Sequence, residues 1–282
     1  MAVVFALCCL ACSAVNDFIF KLFADRPMSR GVFFSIIGVV ITLTMAPTLN
    51  IHSFSGNMAN TLIWGCAAGF FSIVGNVLLI EAMGKLSAGI CSTIYRLNLI
   101  FVVPGAMFFF GETLNPFQLC GVLAAILAII LFSFSTLCGG QKSSLAGMII
   151  IISAALLRAG MGLAYKKAFL TGVEESSLVF INGLFWVFGG LIYAWIKDGA
   201  LKMPGKAIWG FGALSGLFVC GIVFFMAKAL QAGAAGVVLS IAQMSFLGTL
   251  LLSVIILKEK LEKFKIAGIV FGTAAILLLA LK

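Results

Sequence analysis

The segment from Glu81 to Leu131 is written twice in this chain. Displaced by 147 residues, Ala82, Ala88, Gly89, Ile94, Glu112, Leu114, Phe117, Gly121, Ala128, Ile129 and Leu131 each meet the same residue type without a gap. The run FFFGETLNPFQLCG in the first copy answers IILKEKLEKFKIAG in the second. Each copy holds an apolar helix, a Glu-x-Leu turn, and a further apolar helix with glycine at a fixed place. Such a chain must fold as two related halves packed on one another.

Both halves are too apolar for water. Hydrophobic residues make up 63% of the 282 and charged residues only 10%, whereas a soluble domain of this size needs a charged surface. Ten apolar segments, each able to cross about 30 Å of hydrocarbon, run over 2–23, 31–49, 58–83, 87–110, 117–137, 145–170, 176–196, 207–230, 234–257 and 264–281. The polar run Cys138-Gly-Gly-Gln-Lys-Ser-Ser144 divides them into two sets of five, so the expected units are residues 1–138 and 145–282. Five is odd, so the second unit enters the membrane from the opposite side and the repeats are inverted. The expected fold is an all-α membrane protein. The first helix starts without a basic leader and is expected to stay.

The net charge of +9 sits mostly in short loops, where lipid headgroups and the orientation rule explain it without nucleic acid. Ten Lys and Arg residues follow odd-numbered helices, which by charge places those loops in the cytoplasm and both termini outside. The cysteines fall almost all in apolar helices, and Cys9-x-x-Cys12 lacks a second pair or a nearby histidine. They read as packing residues, and no metal site or cofactor is expected. His52, the sole histidine, stands in a polar loop without a partner. A nucleotide loop of the form G-x-x-x-x-G-K-[ST] is absent.

Within the repeat, Gly65-x-x-x-Gly69 is matched by Gly212-x-x-x-Gly216, a small-residue strip for close helix contact. Asn115 before Pro116 reads as a helix N-cap followed by proline at the first helical position. Glu112 then lies near the positive end of the fifth helix, with Glu259 in the matching place before the tenth, and both read as closing their own turns, the alternative being a carrier of a transported proton.

The run Gly111-Glu112-Thr113-Leu114-x-x-x-Gln118-x-x-Gly121, echoed by Glu259-Lys260-Leu261 and Gly268, resembles the motif ending each repeat of the EamA-type branch of the drug/metabolite transporter superfamily. The second copy departs from it with Lys258 and Lys265 in place of Gly111 and Gln118. The resemblance covers nearly the whole chain. It implies a ten-helix secondary carrier in the cell membrane, the inner membrane for a bacterial protein, working as a monomer or homodimer. It also implies small-metabolite cargo, often amino acids and often moved outward, and both termini inside, against the charge reading.

Cargo must be argued from polar groups within the helices, where a charge needs a partner or a water-filled space. Asn16, Asp17 and Lys21 lie on the first helix; Tyr95, Arg96 and Asn98 lie on the fourth, ahead of a bending Pro104; Arg158 and Tyr165 lie on the sixth. Arg96 or Arg158 can hold a substrate carboxylate bidentately. Alternatively, Arg96 is neutralised by Asp17 or Glu81 and pins helices together. Asn182 and Trp186, one turn apart, and Gln243, the repeat mate of Arg96, can add hydrogen bonds and a stacking face, or serve packing alone. Asp17 and Glu81 are the candidate proton-coupling acids. The competing readings are a lipid flippase on the same fold and a membrane-embedded enzyme. The latter needs a clustered catalytic set that these scattered acids do not supply.

Overall fold

The computed structural model describes residues 1–24, 29–50, 54, 56–86, 91, 94–132, 144–199, 205–258 and 263–281. Among these, helices account for all the long elements and no strand occurs. They are α1 (Ala2–Ala24), α2 (Arg30–Met45, continued by a short 3₁₀ turn), α3 (Met58–Met83), α4 (Leu99–Phe110), α5 (Pro116–Phe132), α6 (Leu145–Leu170), α7 (Glu175–Asp198), α8 (Lys206–Ala232), α9 (Ala235–Gln243), α10 (Ser245–Leu257) and α11 (Lys263–Ala280). Seven stretches are long and apolar enough to cross a membrane, α9 and α10 counting together, and three shorter apolar helices lie at Ile94–Phe110, Pro116–Leu131 and Ile266–Ala280. This is a multi-pass membrane protein. Large apolar side chains such as Phe108, Phe109, Ile192 and Leu277 are exposed, as lipid-facing residues must be.

The packing repeats as the sequence does. α2 lies along α7 and α5 along α11, each element against its own counterpart, while α3 packs on α6 and α8 on α1. The small-residue strips explain how closely the halves approach. Gly65 and Gly69 of α3 press on the side chains of Ile181 and Phe185 of α7, and Gly212 and Gly216 of α8 press on Ile36 and Val40 of α2. A side chain at any of these glycines would occupy its neighbour's space, so they set the helix separation. Gly121 lets α5 meet Leu278 and Leu279 of α11 in the same way.

Local signals in the motif form as the sequence suggests. Asn115 Oδ1 accepts from the Gln118 N–H at 2.7 Å, and Gln118 Oε1 accepts from the Asn115 N–H at 3.1 Å, a reciprocal cap at the start of α5. Gly111 ends α4 in the left-handed region at φ 64°, and Lys258, its repeat mate, stands at φ 54° after α10. The left-handed residue that ends the helix is thus kept in the second copy although glycine is not.

Two expected helices differ from their sequence outlines. The segment over 87–110 is helical at Ile94–Arg96, turns at Leu97 and Asn98, and resumes as α4; that over 234–257 is interrupted at Met244. Pro104, expected to bend the fourth helix, lies within continuous α4.

Candidate functional site

The two interruptions fall at the same place in the two repeats. At the first, the Ile100 N–H bonds to the Leu97 carbonyl at 3.0 Å; at the second, the Leu247 N–H bonds to the Met244 carbonyl at 3.0 Å. Such tightened turns divert amide donors from the carbonyl one residue earlier. The Gln243 carbonyl, left without its helical donor, accepts instead from Arg96 Nη1 at 3.1 Å.

Arg96 is held by three hydrogen bonds. Its Nη1 also donates to Ser245 Oγ at 2.7 Å and its Nη2 to Asp17 Oδ2 at 2.6 Å, while Ser245 Oγ donates to the same Asp17 oxygen at 3.0 Å. The guanidinium stands 5.8 Å from the ring centre of Phe246. One arginine therefore joins α1, the segment before α4, and the junction of α9 and α10. The counterion of Arg96 is Asp17. Glu81 is elsewhere: its carboxylate, at the end of α3, pairs with Lys197 at 2.9 Å and accepts from the Tyr193 hydroxyl at 2.9 Å.

Arg158 is different. Its guanidinium carbon lies 5.7 Å from the ring centre of Tyr95, and among the described residues no carboxylate comes within ion-pair distance of it. The buried Tyr95 hydroxyl belongs to the surroundings of Arg158, and Asn98 Oδ1, one turn further along the same segment, is buried without a hydrogen-bond partner. Two turns beyond Arg158 on α6, the fully buried Tyr165 hydroxyl accepts from Asn182 Nδ2 at 2.7 Å, and Asn182 Oδ1 has no partner. Trp186, one turn further on α7, donates its indole N–H to Ser72 Oγ at 2.8 Å and meets Phe34 edge-on. The structure thus links Arg158 to Tyr95 and Tyr165 to Asn182. Asn16 is engaged apart from them, accepting from the Ser215 hydroxyl at 2.6 Å, and Gln243 contributes its backbone oxygen to Arg96.

Glu112 does not serve its own helix. Its two carboxylate oxygens accept from the backbone N–H groups of Ala235 at 2.9 Å and Gly236 at 3.3 Å, so it caps α9 of the other repeat. The first-turn amides of α9 lack helical acceptors and carry partial positive charge, which an anion satisfies on both counts. Lys166 Nζ lies 3.6 Å from this carboxylate and donates to the Leu230 and Gly233 carbonyls at 2.9 and 2.6 Å, closing the end of α8. The expectation that Glu112 closes its own turn is corrected, because α5 is already capped by Asn115 and Gln118. Glu259 lies outside the described residues, as do His52 and the side chain of Lys21; Gly268 is buried in α11.

Sequence reasoning missed Ser245, Ser72, Ser215 and the cap role of Glu112. Ser245 was marked by its repeat position, which matches Asn98; the other serines carry no signal within an apolar helix.

Searches against known proteins bear on the whole chain. A solved structure described as "Crystal structure of protein" superposes with a TM-score of 0.78, covering 99% of this chain and 96% of its own, at 13% identity. At that identity the likeness shows the fold alone. No curated protein matches. The model of the EamA-like transporter family matches twice, over residues 1–134 and 145–281. With both repeats matched and nearly every residue included, the chain belongs to the EamA-like transporter family.

Proposed function

We propose that this protein is a secondary transporter that exports small carboxylate-bearing solutes, amino acids and their relatives among them. It does so by alternating access around a cavity between the repeats. The family supports transport of small solutes. The substrate class rests on one observation: Arg158 is a mid-helix guanidinium with no carboxylate partner among the described residues, next to buried polar atoms that also lack partners. An unpaired charge at that depth is costly unless it faces a water-filled path and meets an anion there. Arg158 then holds the carboxylate, Tyr95 and the Asn98 and Asn182 carbonyl oxygens meet its polar groups, and Tyr165 and Trp186 shape the wall.

In this reading the seven long and three shorter apolar helices make ten spans, five in each of the inverted units 1–138 and 145–282. Arg96 positions the interrupted helices and binds no substrate. Asp17 is the proton-coupling acid, because a proton there would undo the pair that holds Arg96 against the junction of α9 and α10; Glu81, held by Lys197 and Tyr193 at a helix end, is the lesser candidate. The test is efflux of labelled amino acids and simple carboxylates from cells or sealed vesicles, comparing wild type with Arg158→Gln. Efflux that Arg158→Gln abolishes supports the proposal. Efflux that it leaves intact, or movement of labelled lipid between leaflets without solute efflux, overturns it, the latter in favour of a flippase.

A further inference from the structure

At one end of the bundle three helix ends converge: the start of α2 and the ends of α3 and α7. They converge because Gly31 admits the backbone of Ala194 at a distance no side chain would permit. Between them lies a cavity of about 340 Å³, lined among others by Arg30, Glu81, Gly84, Tyr193, Lys197 and Asp198. All three helices are candidate spans, and each begins or ends here, which puts the cavity at headgroup depth.

The charges within are unevenly committed. Glu81 is held by Lys197 and by the Tyr193 hydroxyl. Asp198 accepts from the Ser29 hydroxyl through Oδ2, which leaves acceptor capacity on the carboxylate. Arg30 is exposed and has no carboxylate within ion-pair distance among the described residues. Beside the cavity, the flank of α7 exposes Ile192, Trp195 and Ile196, an apolar strip with the aromatic ring typical of a membrane interface. An occupant must therefore bring an anion for an exposed guanidinium, hydrogen-bond donors for a carboxylate, and hydrocarbon for the strip.

We infer that this cavity holds the headgroup of a phospholipid carrying a primary ammonium, as in phosphatidylethanolamine. The phosphodiester lies on Arg30, with half-exposed Lys197 beside it, the ammonium on Asp198, and the acyl chains run along the flank of α7. A choline headgroup fits the phosphate but has no N–H to donate to the carboxylate. A glycerol headgroup lacks the positive charge.

The experiment needs no transport substrate, so its failure is separate from failure of the transport proposal. Thermal unfolding of the purified full-length protein in detergent is followed with added phosphatidylethanolamine, phosphatidylcholine, phosphatidylglycerol or soluble phosphoethanolamine. Phosphatidylethanolamine is expected to raise the midpoint by about 3 °C or more, since a ligand that binds only the folded state stabilises it. The other two lipids should give less than half of that, and soluble phosphoethanolamine none. Asp198→Asn, a change at an exposed helix end, should erase the advantage of ethanolamine over choline; Arg30→Ala should lower the response to every phospholipid. If Arg30→Ala does not fold, Arg30→Lys, which keeps the charge and loses the bidentate fork, should show a reduced response. Equal stabilisation by ethanolamine and choline lipids, or a response unmoved by these substitutions, overturns the assignment. Stabilisation by soluble phosphoethanolamine overturns it in favour of a free solute.

Discussion

Arg96 and Gln243 hold the same place in the two repeats, and they are bonded to each other, side chain to backbone, at 3.1 Å. The bond exists because the second copy tightens at Met244 and leaves a carbonyl without its amide. Both copies carry the break, and the arginine of the first satisfies the carbonyl freed in the second. Only one of the two matched positions carries arginine, which makes the junction a charged one, with Asp17 as its counterion.

Removing Arg96 should therefore be felt as loss of structure. Side-chain exposures of 17% for Arg96 and 30% for Asp17 mark a largely buried pair, whose disruption from one side costs roughly 3 kcal/mol. Arg96→Gln is expected to destabilise by about that amount in denaturant unfolding. In a double-mutant cycle, Asp17→Asn should cost less in the Arg96→Gln background than in wild type. Strict additivity would show that the pair contributes nothing.

Arg158 should behave in the opposite way. With no carboxylate left uncompensated by its loss, Arg158→Gln is expected to unfold within about 1 kcal/mol of wild type, while efflux of a carboxylate solute falls by about 100-fold. Arg158→Lys keeps charge but not the fork and should fall between them. A variant that unfolds outright would place Arg158 among the structural residues.

For Glu112, the expected loss is that of a helix cap supplied from a distance. Glu112→Ala should destabilise by about 1–2 kcal/mol, and Glu112→Gln, which keeps an acceptor but not the charge, by less. Amide hydrogen exchange resolved to residues 235–238 would show where the loss falls. Unchanged protection there would mean that the cap contributes little.

Glycines on the same kind of helix should separate cleanly. A β-carbon on Gly38 would run into the backbone of Val187 and Gly183, atoms that cannot rotate away, whereas one on Gly210 meets nothing within 4 Å. Gly38→Ala is expected to cost about 1–3 kcal/mol by overpacking. Gly210→Ala should be neutral or slightly stabilising, and equal effects would mean that the α2–α7 contact is not tight.

Lys258 offers a gain. It sits at φ 54° where the first repeat uses glycine, and a side chain pays about 1–2 kcal/mol for that conformation. Lys258→Gly should raise stability by up to about 1 kcal/mol, the remainder being offset by added freedom of the unfolded chain. A decrease would show that the lysine side chain itself is held.

What was legible in the sequence was whatever is local or repeated. The Asn115–Pro116 cap and the paired GxxxG strips act over a few residues or recur in register, and the structure carries each. The interruptions at Leu97–Asn98 and Met244 were not legible, because neither carries glycine or proline and the polar residues beside them, Arg96 and Asn98 in one and Gln243 in the other, read as site groups and not as breaks. Pro104 drew attention away from them, since a membrane helix can carry a proline without interruption, as α4 does. Glu112 read as a partner of the nearest helix because sequence gives nearness along the chain only; its true partners lie 123 and 124 residues away. Arg96 with Asp17 could be listed among alternatives, but Ser245 Oγ between them depended on which face of the second copy turned inward.

The glycine strips carry a last consequence. Each half grips the other's second helix, Gly65 and Gly69 on Ile181 and Phe185, Gly212 and Gly216 on Ile36 and Val40. Cut between Phe132 and Ser144, the chain would yield two pieces, each presenting a bare glycine furrow and a ridge that fits only its sibling. Neither piece is complete, yet the two made separately hold everything needed to find one another. The covalent join adds proximity to a grip that each half already offers the other.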